Sequence, residues 1–264
     1  MTRYTAANRL ESPRRAVRGE WQLKSWLTYA AGLALAALAL GVPPLAAAER
    51  APIYAGLRSE VVLDNSRVLV ERFVLAPGQT TGRHTHPGDQ LLVFVKGGLL
   101  RAMATGRSTL WRDGRVAWHD SGEPPDEGDR NVGTGEIVMM WVTLKPVAAA
   151  AAAHPADPRP DEYLNYPNIP GEDLLENSRV IVQRFTVNPG QWEGVHAHRP
   201  NMLYIHIKGG RWAARSKKEP EHPYPEPSPD GEVGWMQTID ISEGHESGNI
   251  GQQPIDLIWV TLKE

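Results

Sequence analysis

The chain contains one segment twice, and this repeat constrains its fold more than any other feature. Leu63-Asp-Asn-Ser-Arg-Val-Leu-Val-Glu-Arg-Phe-Val-Leu-Ala-Pro-Gly78 recurs as Leu175-Glu-Asn-Ser-Arg-Val-Ile-Val-Gln-Arg-Phe-Thr-Val-Asn-Pro-Gly190. The same spacing of 112 relates His84 to His196, His86 to His198, and the Lys-Gly-Gly runs at Lys96 and Lys208. Each copy closes on one pattern, Trp141-Val-Thr-Leu-Lys145 and Trp259-Val-Thr-Leu-Lys263. A sequence that repeats on this scale folds as two similar units, each of small-domain size.

Within each unit the apolar residues come in short runs of Val, Ile, Leu and Trp, separated by clusters of Pro, Gly, Asn and Asp. Such spacing predicts strands and turns rather than helices. The clearest strands are 67–75, 91–95 and 137–144, with their counterparts in the second copy. The expected class is all-β, and many short strands bury one face only by closing into a sandwich or barrel. The predicted organisation is an N-terminal segment at 1–48, a first module at 49–146, an Ala- and Pro-rich linker at 147–160 and a second module at 161–264. The Asn-Ser-Arg segments, Asn65 to Arg67 and Asn177 to Arg179, read as turns entering strands.

The N-terminal segment differs from the rest. Arg14, Arg15, Arg18 and Lys24 precede an apolar run that ends near Ala46-Ala47-Ala48, the order of a secretory signal cut after Ala48. The alternative is an uncleaved anchor, since residues 26–45 are just long enough to span a bilayer. The expected location is therefore exported, periplasmic or extracellular, or else membrane-anchored through this segment alone. Cysteine is absent, which excludes disulfides, thiolate metal sites and cysteine nucleophiles. The whole chain carries a net charge of −3, and residues 1–48 hold six basic and two acidic side chains, so the remainder is more acidic still. An acidic body argues against nucleic acid and for a small-molecule partner.

Residues two apart on a strand share a face, so His84 with His86, and His196 with His198, each present two imidazoles side by side. The run Gly78, His84, His86, Gln90, Gly97 and its repeat Gly190, His196, His198, Met202, Gly209 resemble the first signature motif of the cupin superfamily. That motif reads Gly, five residues, His, one residue, His, three or four residues, Glu, six residues, Gly. The resemblance covers nearly all of the chain from Arg58 onward. It implies two cupin barrels (double-stranded β-helix, or jelly-roll), a divalent transition metal such as Fe, Mn, Zn, Ni or Cu, and a small oxygenated substrate or ligand.

Both copies depart from the family where it places its glutamate ligand: Gln90 stands there in the first and Met202 in the second. The family's second motif, a third histidine followed by Asn after three intervening residues, matches His245 and Asn249. His196, His198 and His245 are thus the stronger metal set. In the first copy the count back from Asn131 places Glu127 at the third position, giving His84, His86 and Glu127 with Gln90 nearby; His119 or Asp126 could equally approach. Strand alternation puts Tyr204 and His206 on the same face as Met202, where they would position substrate or move a proton. Leu203, Ile205 and Ile207 face the other way, so that side too is covered, by the other module or by a second subunit of a homo-oligomer. Trp111, Trp118, Trp192, Trp212 and Trp235 fill cores and interfaces or line an aromatic site, and His222 lies in a proline-dense loop. Two functional readings follow: a metal-dependent, dioxygenase-like oxidoreductase, or a non-catalytic binding protein of the envelope.

Overall fold

The computed structural model describes residues 53–54, 56–146 and 164–263. The predicted export segment 1–48 and linker 147–160 lie outside the described residues. Among those described, no helix is long and apolar enough to cross a membrane.

The first barrel has eight strands: β1 (Ser59–Asp64), β2 (Val68–Leu75), β3 (Gln90–Lys96), β4 (Gly98–Ala102), β5 (Ser108–Trp111), β6 (Val116–His119), β7 (Asp129–Asn131) and β8 (Ile137–Leu144). The second repeats them as β9 (Glu172–Glu176), β10 (Val180–Val187), β11 (Met202–Lys208), β12 (Trp212–Arg215), β13 (His222–Pro223), β14 (Val233–Met236), β15 (Glu246–Asn249) and β16 (Ile255–Leu262). The large sheets run β1-β2-β8-β3-β6 and β9-β10-β16-β11-β14, the same order in the same sense. The small sheets are β5-β4-β7 and β13-β12-β15. β2 pairs β8 from Val68↔Leu144 to Leu75↔Ile137, and β10 pairs β16 from Val180↔Leu262 to Val187↔Ile255, both antiparallel and unbroken.

Each Asn-Ser-Arg turn forms because its asparagine caps the next strand. Asn65 Oδ1 accepts from the backbone N–H of Arg67 at 2.8 Å and of Val68 at 2.9 Å. Asn177 does the same for Arg179 at 2.8 Å and Val180 at 3.0 Å. The side chain replaces backbone partners that a tight turn leaves open.

The long strands are apolar on both faces, and each face has its own destination. Ile137, Met139 and Trp141 point into the first barrel with Phe73 and Phe94. Ile255, Leu257 and Trp259 point into the second with Phe185 and Trp212. The alternate residues Met140, Val142, Leu144, Ile258, Val260 and Leu262 meet in one shared cluster with Leu91, Val93, Leu203, Ile205 and Ile207. The two large sheets therefore bury their outer faces on each other within a single chain. Arg179 Nη1 also reaches across to Asp89 Oδ2 at 2.7 Å. Fully burying each such aliphatic side chain contributes about 1.5–3 kcal/mol, so this shared layer is a principal stabilising element of the pair.

Candidate metal centre

In the second barrel the loop from β10 to β11 carries His196 and His198, each only 2 % exposed. Backbone pairing fixes their direction: the N–H of His196 bonds the His245 carbonyl at 3.1 Å, and His198 exchanges two 3.0 Å bonds with Ile239. Both rings consequently lie on one face. His196 Nδ1 donates to the Gly194 carbonyl at 2.8 Å. Since a carbonyl only accepts, the proton sits on Nδ1 and Nε2 keeps a free lone pair. That Nε2 lies 2.9 Å from His198 Nε2. The other nitrogen of His198, Nδ1, is buried with no hydrogen-bond partner.

His245 completes the group, with its ring centroid 5.0 Å from that of His196 and 5.4 Å from that of His198. One ligand atom from each of the three lies within 4.8 Å of the others. Burial holds His196 down to about 4 against the opposing pull of the Gly194 carbonyl, and burial together with the neighbouring His196 and His245 holds His198 down to about 2. Burial also lowers His245. All three imidazoles are thus neutral at physiological pH, the form that binds metal. Two nitrogens at about 2.1 Å from one ion and at right angles would be about 3.0 Å apart, close to the separation seen. The donor set fits a divalent transition ion bound through the Nε2 atoms of His196 and His198.

Beside this group lies a cavity of about 150 Å³, whose wall includes His198, His245, Tyr204, His206, Glu193 and Glu232. Tyr204 and His206 do project from β11 into it, while Leu203, Ile205 and Ile207 join the shared apolar layer. His206 Nδ1 donates to Glu232 Oε2 at 3.2 Å, leaving Nε2 as an acceptor. Burial, then the Glu232 charge, pushes the Tyr204 phenol up to about 12, so it remains a hydrogen-bond donor. The ring of Tyr204 lies against Gly234: a Cβ there would sit 2.3 Å from Tyr204 Cζ.

The first barrel is arranged differently. His84 and His86 are buried on one face, with His84 Nδ1 donating to the Gly82 carbonyl at 3.0 Å. Gln90, expected as a ligand, has both ends engaged: Oε1 accepts from His86 Nδ1 at 2.9 Å and Nε2 donates to Thr143 Oγ1 at 2.7 Å. It orients His86 and frees that ring's Nε2, as an outer partner of a metal ligand does. Glu127 is not brought to the histidines; it is exposed and pairs with Arg83 at 3.3 Å. Asp126 takes its place, exchanging two 3.0 Å backbone bonds with His84. The reason is one extra residue. Thr81 and His84 face Asp129 and Asp126, whereas the equivalent Glu193 and His196 face Ser247 and His245. Gly128 absorbs the added residue at φ +86°, with no room for a Cβ, which would lie 2.4 Å from the Gly82 carbonyl oxygen.

Two overlapping groups result, His84 with His86 and Asp126, and His86 with His119 and Glu123. His119 comes from β6, where it pairs with Gln90, and stacks on His86 at 4.2 Å. Beneath them the barrel is filled: Phe94 stacks on Trp111 at 4.6 Å, and Trp141 Nε1 donates to the Tyr54 hydroxyl at 2.7 Å. Of the other tryptophans, Trp118 and Trp235 pack on the shared layer, Trp212 borders the second cavity, and Trp192 lies under Arg215 at 4.0 Å.

Two kinds of residue escaped the sequence reading. Tyr54 and Tyr166 each meet the first histidine of a pair edge-on, at 4.7 and 4.6 Å, and stand 112 apart like the rest of the repeat. The shared offset was a usable signal. Glu193, 3 % exposed, has Oε2 3.9 Å from His196 Nε2. Its counterpart is Thr81, so the signal was a difference between the copies.

The molecule is thus a pair of antiparallel β-barrels, each with buried histidines grouped by an H-x-H segment. Its fold is similar to that of several solved structures. AerE from Microcystis aeruginosa is 14% identical with a TM-score of 0.50, the match covering 79% of this chain and 93% of that one. A Pseudomonas aeruginosa protein described as glyoxylate induced is 13% identical with a TM-score of 0.52, over 78% and 79% of the two chains. An oxalate decarboxylase from Lactobacillus farciminis is 14% identical with a TM-score of 0.49, over 79% and 81%. No protein-family model and no curated protein matches the sequence. By fold the chain resembles the two-barrel cupins, or bicupins, and in neither H-x-H segment does a glutamate stand four residues on, where Gln90 and Met202 are found.

Proposed function

We propose that the second barrel holds a divalent transition metal on His196, His198 and His245 and binds a small oxygenated molecule beside it. The observation that carries this reading is the grouping of three neutral imidazoles at the wall of a cavity. At about 150 Å³ that cavity suits a ligand of roughly benzene size. Its lining includes Glu193 and Glu232 but no lysine or arginine, which favours a neutral molecule carrying hydroxyl or carbonyl groups over an anion.

A metal bound there would supply Lewis acidity and lower the pKa of a coordinated water or hydroxyl. The chain's own residues would do the rest. Tyr204 donates a hydrogen bond to a substrate oxygen, His206 Nε2 accepts a proton while Glu232 holds the ring through Nδ1, and Trp212 and Trp259 keep the site apolar. The reaction class that suits these parts is a dioxygenase-like oxidation, in a protein exported by its N-terminal segment.

Metal analysis of the purified chain, beside His196→Ala, tests the proposal. One equivalent of metal in the parent and none in the variant is expected; a parent that stays metal-free after loading overturns it. Oxygen uptake with phenols and dicarbonyls then separates turnover from binding. The absence of the family's glutamate from both barrels favours a second reading, a non-catalytic binding protein, for which metal would be retained and oxygen uptake absent.

A further inference from the structure

We propose that Ser228, Glu232 and His206 form a recess at the inner end of the second-barrel cavity, and that it selects ligands carrying a hydroxyl group at the end remote from the imidazoles. The inference rests on the reading of that cavity as a ligand site and adds the chemistry of its far end. Met202 marks the imidazole end, because its counterpart Gln90 holds His86 through a 2.9 Å bond. His206 stands four residues further along β11, and Ser228 and Glu232 share the cavity wall with it. The repeat shows what opens this recess. Past β12 the spacing of the two copies lengthens from 112 to 117, and backbone pairing fixes the new register. Gly98 pairs with Trp111 and Gly210 with Ser228. The N–H of Phe94 bonds the Arg115 carbonyl and that of His206 bonds the Glu232 carbonyl, both at 2.9 Å. Ser228 and His206 therefore occupy the places of Trp111 and Phe94, two rings that stack at 4.6 Å and fill the first barrel. Exposed Arg115 likewise gives way to Glu232, which borders the cavity.

The recess offers acceptors. His206 Nδ1 donates to Glu232 Oε2 at 3.2 Å, so His206 Nε2 keeps a lone pair. The His206 hydrogen bond, opposed by burial and joined by Ser228, holds Glu232 below the ordinary carboxylate range, so the group is ionised and can only accept. With the Ser228 hydroxyl donating to Glu232, the Ser228 oxygen also has lone pairs to spare. A ligand hydroxyl placed here gains a hydrogen bond to a charged network, whereas an ether, carbonyl or methyl group desolvates these acceptors and gives them no proton. That difference amounts to at least about tenfold in affinity. Tyr204, between the two ends, supplies a donor instead, because its phenol keeps its proton. The cavity thus distinguishes the two ends of a small ligand: an oxygen that accepts near the imidazoles, and a hydroxyl that donates in the recess.

The test is calorimetric titration of the Co²⁺-loaded full chain, without oxygen, with two probes of nearly equal shape, hydroquinone and 4-methylphenol. The parent is expected to bind hydroquinone at least about tenfold more tightly. Glu232→Gln keeps the shape but brings an N–H donor into the recess, and should reduce that preference to within about threefold. Ser228→Trp copies the first barrel and should abolish binding of both probes. Both variants should still take up Co²⁺ with the affinity and visible spectrum of the parent. A parent that binds the two probes equally, or a folded Ser228→Trp chain that binds them like the parent, overturns the recess. If Ser228→Trp does not fold, Glu232→Gln decides alone, and an unchanged preference in that variant overturns the proposal. A parent that binds no Co²⁺ defeats the metal reading instead, and the same comparison of probes on the metal-free chain then decides the recess.

Discussion

His196 and His198 remain neutral in the folded chain far below the pH at which a free imidazole protonates. Their folded values, about 4 and about 2, compare with about 6.5 in an unfolded chain. Below pH 6.5 the unfolded state therefore binds protons that the folded state refuses, and stability falls by up to about 1.4 kcal/mol per pH unit for each group. His245 is lowered too and adds to this arm. Glu193 acts in the opposite sense. Folded at about 8 and unfolded near about 4.3, it binds its proton more tightly in the native state, so its contribution is full at acid pH and is lost as pH rises through 8. Between pH 4.3 and 6.5 the histidines outnumber the one acid. Urea unfolding of the metal-free chain should thus give greatest stability near pH 6–7, a decline at pH 5 and a shallower decline at pH 8. Glu193→Gln should abolish the alkaline decline alone; its persistence in that variant would refute the assignment. A second residue-scale prediction concerns Gly234, which leaves room for the Tyr204 ring. Gly234→Ala should force that ring to move at a cost of about 1–3 kcal/mol and weaken small-ligand binding, with Co²⁺ binding to the histidines unchanged. Equal loss of both on titration would place Tyr204 closer to the metal than argued.

At the scale of elements, the two motif asparagines prove to be locks between strands. Asn249 Nδ2 donates to the carbonyls of Val187 and Gln253, both at 2.8 Å, and its Oδ1 accepts from the Gly251 N–H at 2.9 Å. Asn131 ties Leu75, Gly135 and Gly133 in the same way. Truncation to alanine strands three buried or half-buried backbone groups, so each variant should lose about 2–3 kcal/mol in denaturant melts. Asn249→Ala should also weaken metal binding, because β15 follows His245 directly, whereas Asn131→Ala should not. The long strands, the two destinations of their apolar faces and the pairing of histidines were legible in the sequence, because short apolar runs, the alternation of side chains and the repeat state them. Two features were not. The extra residue absorbed at Gly128 shifts Asp126 into the position counted for Glu127, and a count of residues cannot reveal a bulge. His119 reaches His86 by cross-strand pairing, for which His119 and Gln90 are 29 positions apart in sequence. The second barrel has Met236 opposite Met202 at the same place, so that contact does not recur.

At the scale of the molecule, one barrel is filled and the other hollow, and the shared apolar layer joins them. Where the first barrel has Leu92 and Phe94 inside, the second has Tyr204 and His206, so polar groups replace part of the packing that would hold it closed. The layer built from Val93, Met140 and Val142 on one side and Leu203, Ile258 and Val260 on the other compensates by covering the hollow barrel's large sheet. The first barrel is then a structural partner of the site whether or not it holds metal itself. Neither half keeps its outer face dry alone, and the two should unfold as one. Calorimetry of the full chain is expected to show a single transition over the two barrels, with calorimetric and van't Hoff enthalpies equal. Leu203→Ala should cost about 2–5 kcal/mol and lower that one transition rather than split it. Val93→Asp buries an unpaired charge in the layer, and although Val93 belongs to the first barrel it should abolish Co²⁺ binding in the second. Two resolved transitions, or a Val93→Asp chain that still binds Co²⁺ like the parent, would show that each barrel stands independently and that the hollow one is held open by its own strands.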